Sequence, residues 1–181
     1  DDMFLSNDPY ISTPHQTCVV MVAPIFSEDS QLIAWAGAGI HVADVGGPTP
    51  GQVAVGAQNI YQEATPMPPI KMVERGVIRK DIEQDYLIRS RTRGQNALDM
   101  RAKIAANTTI KRRVLEMVQR YGTETVTGMM DQVIHQAEAR LRSVILELPD
   151  GRWEHTSYLD YDDRGKMTFY ACHLTLIKEG D

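Results

Sequence analysis

The sequence predicts an α+β protein: strands, then a long glycine- and proline-rich loop, a helical hairpin, and strands again. Three observations predict it. Apolar runs of strand length fill residues 1–44, apolar residues recur at steps of three and four across 79–148, and strand character returns over 149–181. With 181 residues, 43% hydrophobic and 24% charged, the chain can build one core and reads as a single domain over 1–181.

Met3-Phe4-Leu5 reads as a first strand, Cys18 to Phe26 as a second and Leu32 to Ala36 as a third. The last two are apolar throughout, which predicts buried strands of a mixed sheet covered on both faces. Ser27-Glu28-Asp29-Ser30 is a polar turn that joins them as a hairpin. Over 45–78, Gly46-Gly47-Pro48-Thr49-Pro50-Gly51 and Pro66-Met67-Pro68-Pro69 remove donors and permit positive φ, so a wrapping loop is expected.

Asp81 is placed as the cap of a first helix carrying Ile82, Tyr86 and Leu87. A second helix runs from about Asn96 to Arg120 and exits at Gly122. Thr123-Glu124-Thr125 opens a third, with an apolar stripe of Val126, Met130, Val133, Ala137, Leu141, Val144 and Leu148. So short a connection predicts that the two long helices pack as an antiparallel hairpin. Trp153 to Leu159 and Met167 to Ile177 then read as strands, with Asp162-Asp163-Arg164-Gly165 as their turn.

A formal charge of -5 disfavours nucleic acid and anionic membrane surfaces as partners, and no apolar run approaches a membrane span. Two cysteines, Cys18 and Cys172, make neither a disulfide framework nor a zinc-finger spacing, so a reducing, cytoplasmic setting is expected. The first and last residues run straight into strand-like segments, which predicts a fragment of a longer chain.

Imidazole and carboxylate groups gather at predicted strand ends. Asn7-Asp8-Pro9-Tyr10 follows the first strand, His15 comes shortly after, and His41-Val42-Ala43-Asp44 closes the third. Turns after each strand would bring Asp8, His15, His41 and Asp44 to one end of the sheet, a donor set for zinc, manganese or iron. The plainer reading makes His15 and His41 strand-end caps and Asp44 a turn former. Cys18 reads as a nucleophile beside His15 or, with more weight, as a small core residue. Glu63 in the loop is a general base or a turn carboxylate, and with Asp8 it makes up the candidate catalytic carboxylates. The glycines at 46, 47 and 51 lack the Gly-Lys-Ser/Thr ending of a phosphate loop, so no ATP site is expected in this chain. Arg89 to Arg93 and Lys111-Arg112-Arg113 read as a solvated face or as salt bridges to a neighbouring subunit.

In order along the chain, Asn7-Asp8-Pro9-Tyr10, His15, Pro24-Ile25-Phe26, His41-Val42-Ala43-Asp44-Val45-Gly46-Gly47, Gln62-Glu63, Lys71-Met72-Val73-Glu74-Arg75-Gly76-Val77, Asp99-Met100-Arg101-Ala102-Lys103-Ile104-Ala105-Ala106-Asn107 and Leu148-Pro149-Asp150-Gly151 resemble the hydantoinase B/oxoprolinase family. The resemblance implies the B-type subunit of an ATP-dependent hetero-oligomer. A hydantoinase A-type partner binds ATP and phosphorylates the substrate's oxygen, and the B-type part completes ring-amide hydrolysis or the carboxylation of a ketone with bicarbonate or CO2. It also implies a metal cluster drawn from the histidines and aspartates, matched here by His15, His41 and Asp44. Two positions depart from it: Cys18 stands where the family has an aspartate, and Val42 where many members have a second histidine. A thiol for a carboxylate favours zinc over manganese, with Cys18 as a possible fourth ligand. The altered ligand set places an acetophenone- or acetone-type ketone carboxylase first, with N-methylhydantoin or 5-oxoproline hydrolysis as the alternative. A scaffold subunit that has lost its ligands is a third reading.

Overall fold

The computed structural model describes all residues except 52, 53, 55, 164, 165 and 181. Contacts divide the chain into two compact units, Asp1–Thr123 and Glu124–Asp181.

In the first unit, β1 (Met3–Ser6), β2 (Cys18–Phe26), β3 (Leu32–His41), β4 (Ile70–Glu74) and β5 (Val77–Ile78) form a sheet of order β3-β2-β1-β4-β5. The α+β class holds, but every pairing in the sheet is antiparallel rather than mixed. β2 and β3, joined only by residues 27–31, can pair in no other way.

Nor are both faces buried. Along β2, Val19, Met21, Ala23 and Ile25 are buried and the residues between them are not; along β3 only Ala36 is. β3 is an edge strand built largely of alanine and glycine, so its run is apolar through small side chains rather than through cover. Pro24 sits beyond the stretch of β2 that pairs with β1, Val20 to Val22, so its missing N–H breaks no ladder on that side.

β4 and β5 lie within the stretch expected to be loop over 45–78. A strand of five residues behind Pro68-Pro69 carries too short an apolar signal to stand out. Helix α1 (Ile60–Glu63) also lies there, its first amides capped by Asn59 Oδ1.

Helices α2 (Lys80–Ile88) and α3 (Arg93–Tyr121) complete the unit. Asp81 is not the cap of α2. Arg79 holds that position, and Asp81 pairs with its guanidinium at 2.7 Å from inside the first turn. α3 presses Asn96, Met100, Lys103 and Asn107 inward at helical steps of four, three and four. Met100 joins Leu5, Val19, Met21, Ile25 and Met72 in the core, where each large apolar side chain contributes about 1.5–3 kcal/mol. Asn107 Nδ2 donates to the Met21 carbonyl at 2.9 Å, which ties α3 to the middle of β2. Gly122, at φ +84°, ends the helix as expected.

The second unit holds most of α4 (Thr123–Leu146) and a ribbon of β6 (Gly151–Asp163) and β7 (Lys166–Lys178), paired antiparallel along its whole length. Of the apolar stripe on α4, Val126 is buried, whereas Val133, Leu141 and Val144 are exposed. The turn expected at 162–165 includes Arg164 and Gly165, which lie outside the described residues. No helix among the described residues is long and apolar enough to cross a membrane.

Candidate metal centre

The strand register builds the site. Cys18 opens β2 and His41 closes β3, and the two are direct cross-strand partners. The Cys18 amide donates to the His15 carbonyl at 3.1 Å, and this turn returns the His15 ring to the strand end. Cys18 Sγ then lies 3.5 Å from His15 Nε2, and the two imidazole centroids are 4.6 Å apart. One candidate ligand atom from each of His15, Cys18 and His41 lies within 4.8 Å of the others. Tetrahedral zinc, with bonds near 2.1 Å to nitrogen and 2.3 Å to sulfur, places its donors roughly 3.3–3.8 Å apart. Two imidazoles and a thiol therefore fit zinc after small side-chain rotations, and they leave a fourth position open.

Thr17 holds the pair of rings. Its buried hydroxyl lies 2.6 Å from His15 Nδ1 and 2.5 Å from His41 Nε2. A hydroxyl has one proton, so at most one of these nitrogens accepts from it and the other must carry its own N–H. Such an outer contact fixes the tautomer and orientation of a metal-binding imidazole.

The other expected residues fall in different places. Cys18 is not a core residue: it is half-buried and faces His15, because Val19 takes the inward position. Asp44 does not join the cluster. Its Oδ1 accepts from Arg91 Nη1 at 2.7 Å and Gly51 N at 3.3 Å; its Oδ2 accepts from Arg91 N at 2.7 Å and Gly46 N at 3.3 Å. With its oxygens engaged in this way, the carboxylate closes the 46–51 loop onto the α2–α3 connection rather than facing the imidazoles. Burial alone would raise its pKa, but the Arg91 and Gly51 amides and the Arg91 guanidinium outweigh that and hold it below the usual range. Asp8 caps its own turn, accepting from Tyr10 N at 2.9 Å, and its carbonyl takes the amides of Ile11, Ser12 and Thr13.

Glu63 is exposed and borders a cavity of about 20 Å³ together with His15, Gln16, Thr17, Thr49 and Gly51. The loop reaches this position because residue 47 has no side chain: a Cβ on Gly47 would stand 1.8 Å from the Glu63 carbonyl oxygen, and φ there is +84°.

Arg91, expected on a solvated face or in a salt bridge to a neighbouring subunit, is exposed and pairs within the chain with Asp44, 47 positions away. Substituting Arg91→Met is expected to cost about 1–2 kcal/mol, since main-chain donors to Asp44 remain. The sign with pH follows from the lowered carboxyl. Its stabilisation is present above the unfolded-state pKa and is lost as pH falls through the folded one, so the variant should lose part of the wild type's resistance to acid. Urea titrations from pH 3 to 7 check this, and equal stability of the two proteins across that span would contradict it.

The hydantoinase B/oxoprolinase sequence profile matches residues 1–181. The chain belongs to the hydantoinase B/oxoprolinase family. Among its relatives are the acetophenone carboxylase delta subunit of Aromatoleum aromaticum, 26% identical over 99% of this chain and 26% of that protein, and the caprolactamase subunit beta of Pseudomonas jessenii, 28% identical over 91% and 28%. The crystal structure of the ATP-dependent caprolactamase from Pseudomonas jessenii superposes with a TM-score of 0.89 at 27% identity, covering 99% of this chain and 31% of that one. This member of the hydantoinase B/oxoprolinase family thus spans about a quarter of the length of these two curated relatives.

Proposed function

We infer that this chain supplies the carbonyl-handling centre of an ATP-dependent enzyme that opens a ring amide. The observation that carries the reading is that Glu63, an exposed acidic residue, borders the same small cavity as His15. A zinc ion held by His15, Cys18 and His41 would supply Lewis-acid polarisation of the substrate's carbonyl oxygen. Glu63 takes a proton from water as the water oxygen bonds to the activated carbonyl carbon. Glu63 returns that proton to the ring nitrogen as the C–N bond breaks, and the phosphoryl group that ATP placed on the substrate's oxygen leaves as phosphate when a second water hydrolyses the resulting acyl phosphate. Thr17 keeps both imidazoles turned to their task throughout. The likeness to a caprolactamase subunit agrees with this chemistry.

A second reading, which the sequence alone placed first, is carboxylation of a phosphorylated ketone enolate by bicarbonate or CO2. Its support is the match to the acetophenone carboxylase delta subunit over 99% of the chain. In either case we assign ATP binding to a hydantoinase A-type partner in a hetero-oligomer, because this chain carries no phosphate loop. We place the enzyme in the cytoplasm, where Cys18 and Cys172, both free thiols, stay reduced.

The test is the purified complex with ATP, offered caprolactam, hydantoin and 5-oxoproline in one arm and ketones with labelled bicarbonate in the other. Ring opening is expected. Replacing Glu63→Gln should slow it by ~10²–10⁴-fold, the usual contribution of a positioned proton acceptor, with metal content unchanged. Fixation of label onto a ketone, with no ring opened, would overturn the hydrolytic reading.

A further inference from the structure

Gln16 lies between His15 and Thr17 and is only 2% exposed. Both hydrogens of its amide are used: Nε2 donates to the Ile60 carbonyl at 3.1 Å and to the Ala64 carbonyl at 2.9 Å, at the two ends of the segment that carries Glu63. Two carbonyl oxygens at that distance fix which end of the amide is nitrogen, since an oxygen there would face like charge. The other end, Oε1, is buried and accepts no hydrogen bond among the described residues. A buried acceptor left so costs about 1–3 kcal/mol, and native folds rarely keep one without a use.

Gln16 also lines the cavity that holds His15, Thr17 and Glu63 together. That space, about 20 Å³, has room for a water molecule. We propose that Gln16 Oε1, with Glu63, binds a single water molecule beside the His15–Cys18–His41 cluster and orients it for attack on the substrate's carbonyl. The claim rests on the hydrolytic reading for the water's role but not for its presence. Gln16 accepts one hydrogen of the water, Glu63 faces the other, and a lone pair is left free for the carbonyl carbon. Through the same amide Gln16 sets the position of Glu63, because its two donor bonds grip the carbonyls on either side of that residue.

The decisive measurement is a crystal structure of the full chain at a resolution that shows buried solvent, together with kinetics of the Gln16→Lys variant in the complex. The lysine keeps a donor for the Ile60 and Ala64 carbonyls and removes the acceptor. An ordered water within hydrogen-bond distance of Gln16 Oε1 is expected. The variant should show kcat for ring opening lowered by ~10–100-fold with KM little changed, the signature of a misplaced nucleophile. A dry cavity, an Oε1 satisfied by another protein donor, or a variant that loses KM rather than kcat would overturn the proposal. If the water is present while no ring amide is opened, the site stands as a water site and the hydrolytic reading is the part that fails.

Discussion

For the proposed zinc centre, replacing His41→Ala is expected to abolish metal binding and to lower turnover of the complex by at least ~100-fold, since loss of an outer partner of a metal ligand alone costs 10–100-fold. His41 faces Cys18 across the β2–β3 ladder and meets His15 through Thr17, so its removal leaves only two of the three clustered donors. Two donors do not hold zinc against water and buffer. Elemental analysis is the readout: about one zinc per wild-type chain and close to none in the variant. A Cys172→Ser control removes the other free thiol, which lies on β7, and should leave the metal in place. Cys18→Asp is the complementary change, exchanging a soft donor for a hard one, and should shift preference from zinc toward manganese. If the His41→Ala protein keeps its full metal content, the cluster is not the centre, and the proposed chemistry loses its electrophile.

Replacing Lys103→Met is expected to stabilise the fold by roughly 3 kcal/mol at pH 7, the equivalent of the fall in its pKa. Lys103 is fully buried on the inward face of α3, and its Nζ has no hydrogen-bond partner among the described residues. Burial pushes its ammonium pKa down to about 8, against a smaller opposing effect of Asp99. The folded state therefore gives up its proton more readily than the unfolded chain. The penalty is absent above the unfolded value near 10.5, grows as pH falls from there to about 8, and is complete below. Wild-type stability should rise on going from pH 8 to 10, and the methionine variant should lack that rise while filling the same space. Chemical unfolding across this range decides the matter; a variant less stable than wild type, with the same pH slope, would mean that the amine has a partner worth more than its charge costs.

Much of the scaffold was legible because it depends on local pattern. The apolar run from Cys18 to Phe26 says strand, and the stretch from Asn96 to Arg120 closed by Gly122 says helix, from neighbouring residues alone. β4 was hidden, since five residues between Pro69 and Gly76 form a strand only when β1 lies beside them. The site shows the same division. His15 and His41 were readable as a donor pair by residue type, but the part played by Cys18 depends on its register opposite His41. Asp44 could not be separated from the ligands by composition, because what removes it is an arginine far along the chain and the amides of a loop. Thr17 and Gln16 drew no notice for a related reason. A single hydroxyl or amide between candidate ligands has meaning only when its partners' positions are known.

Val42 carries a lesson for anyone who wishes to remake this centre in the image of its relatives. Its side chain is fully buried, next to a residue whose ring is exposed at the cluster, because successive positions of an extended chain turn to opposite sides. An imidazole grafted there would enter the hydrocarbon interior and arrive behind the donors it was meant to join. A donor added at this position would therefore reach the cluster only with a change in the path of the backbone after β3.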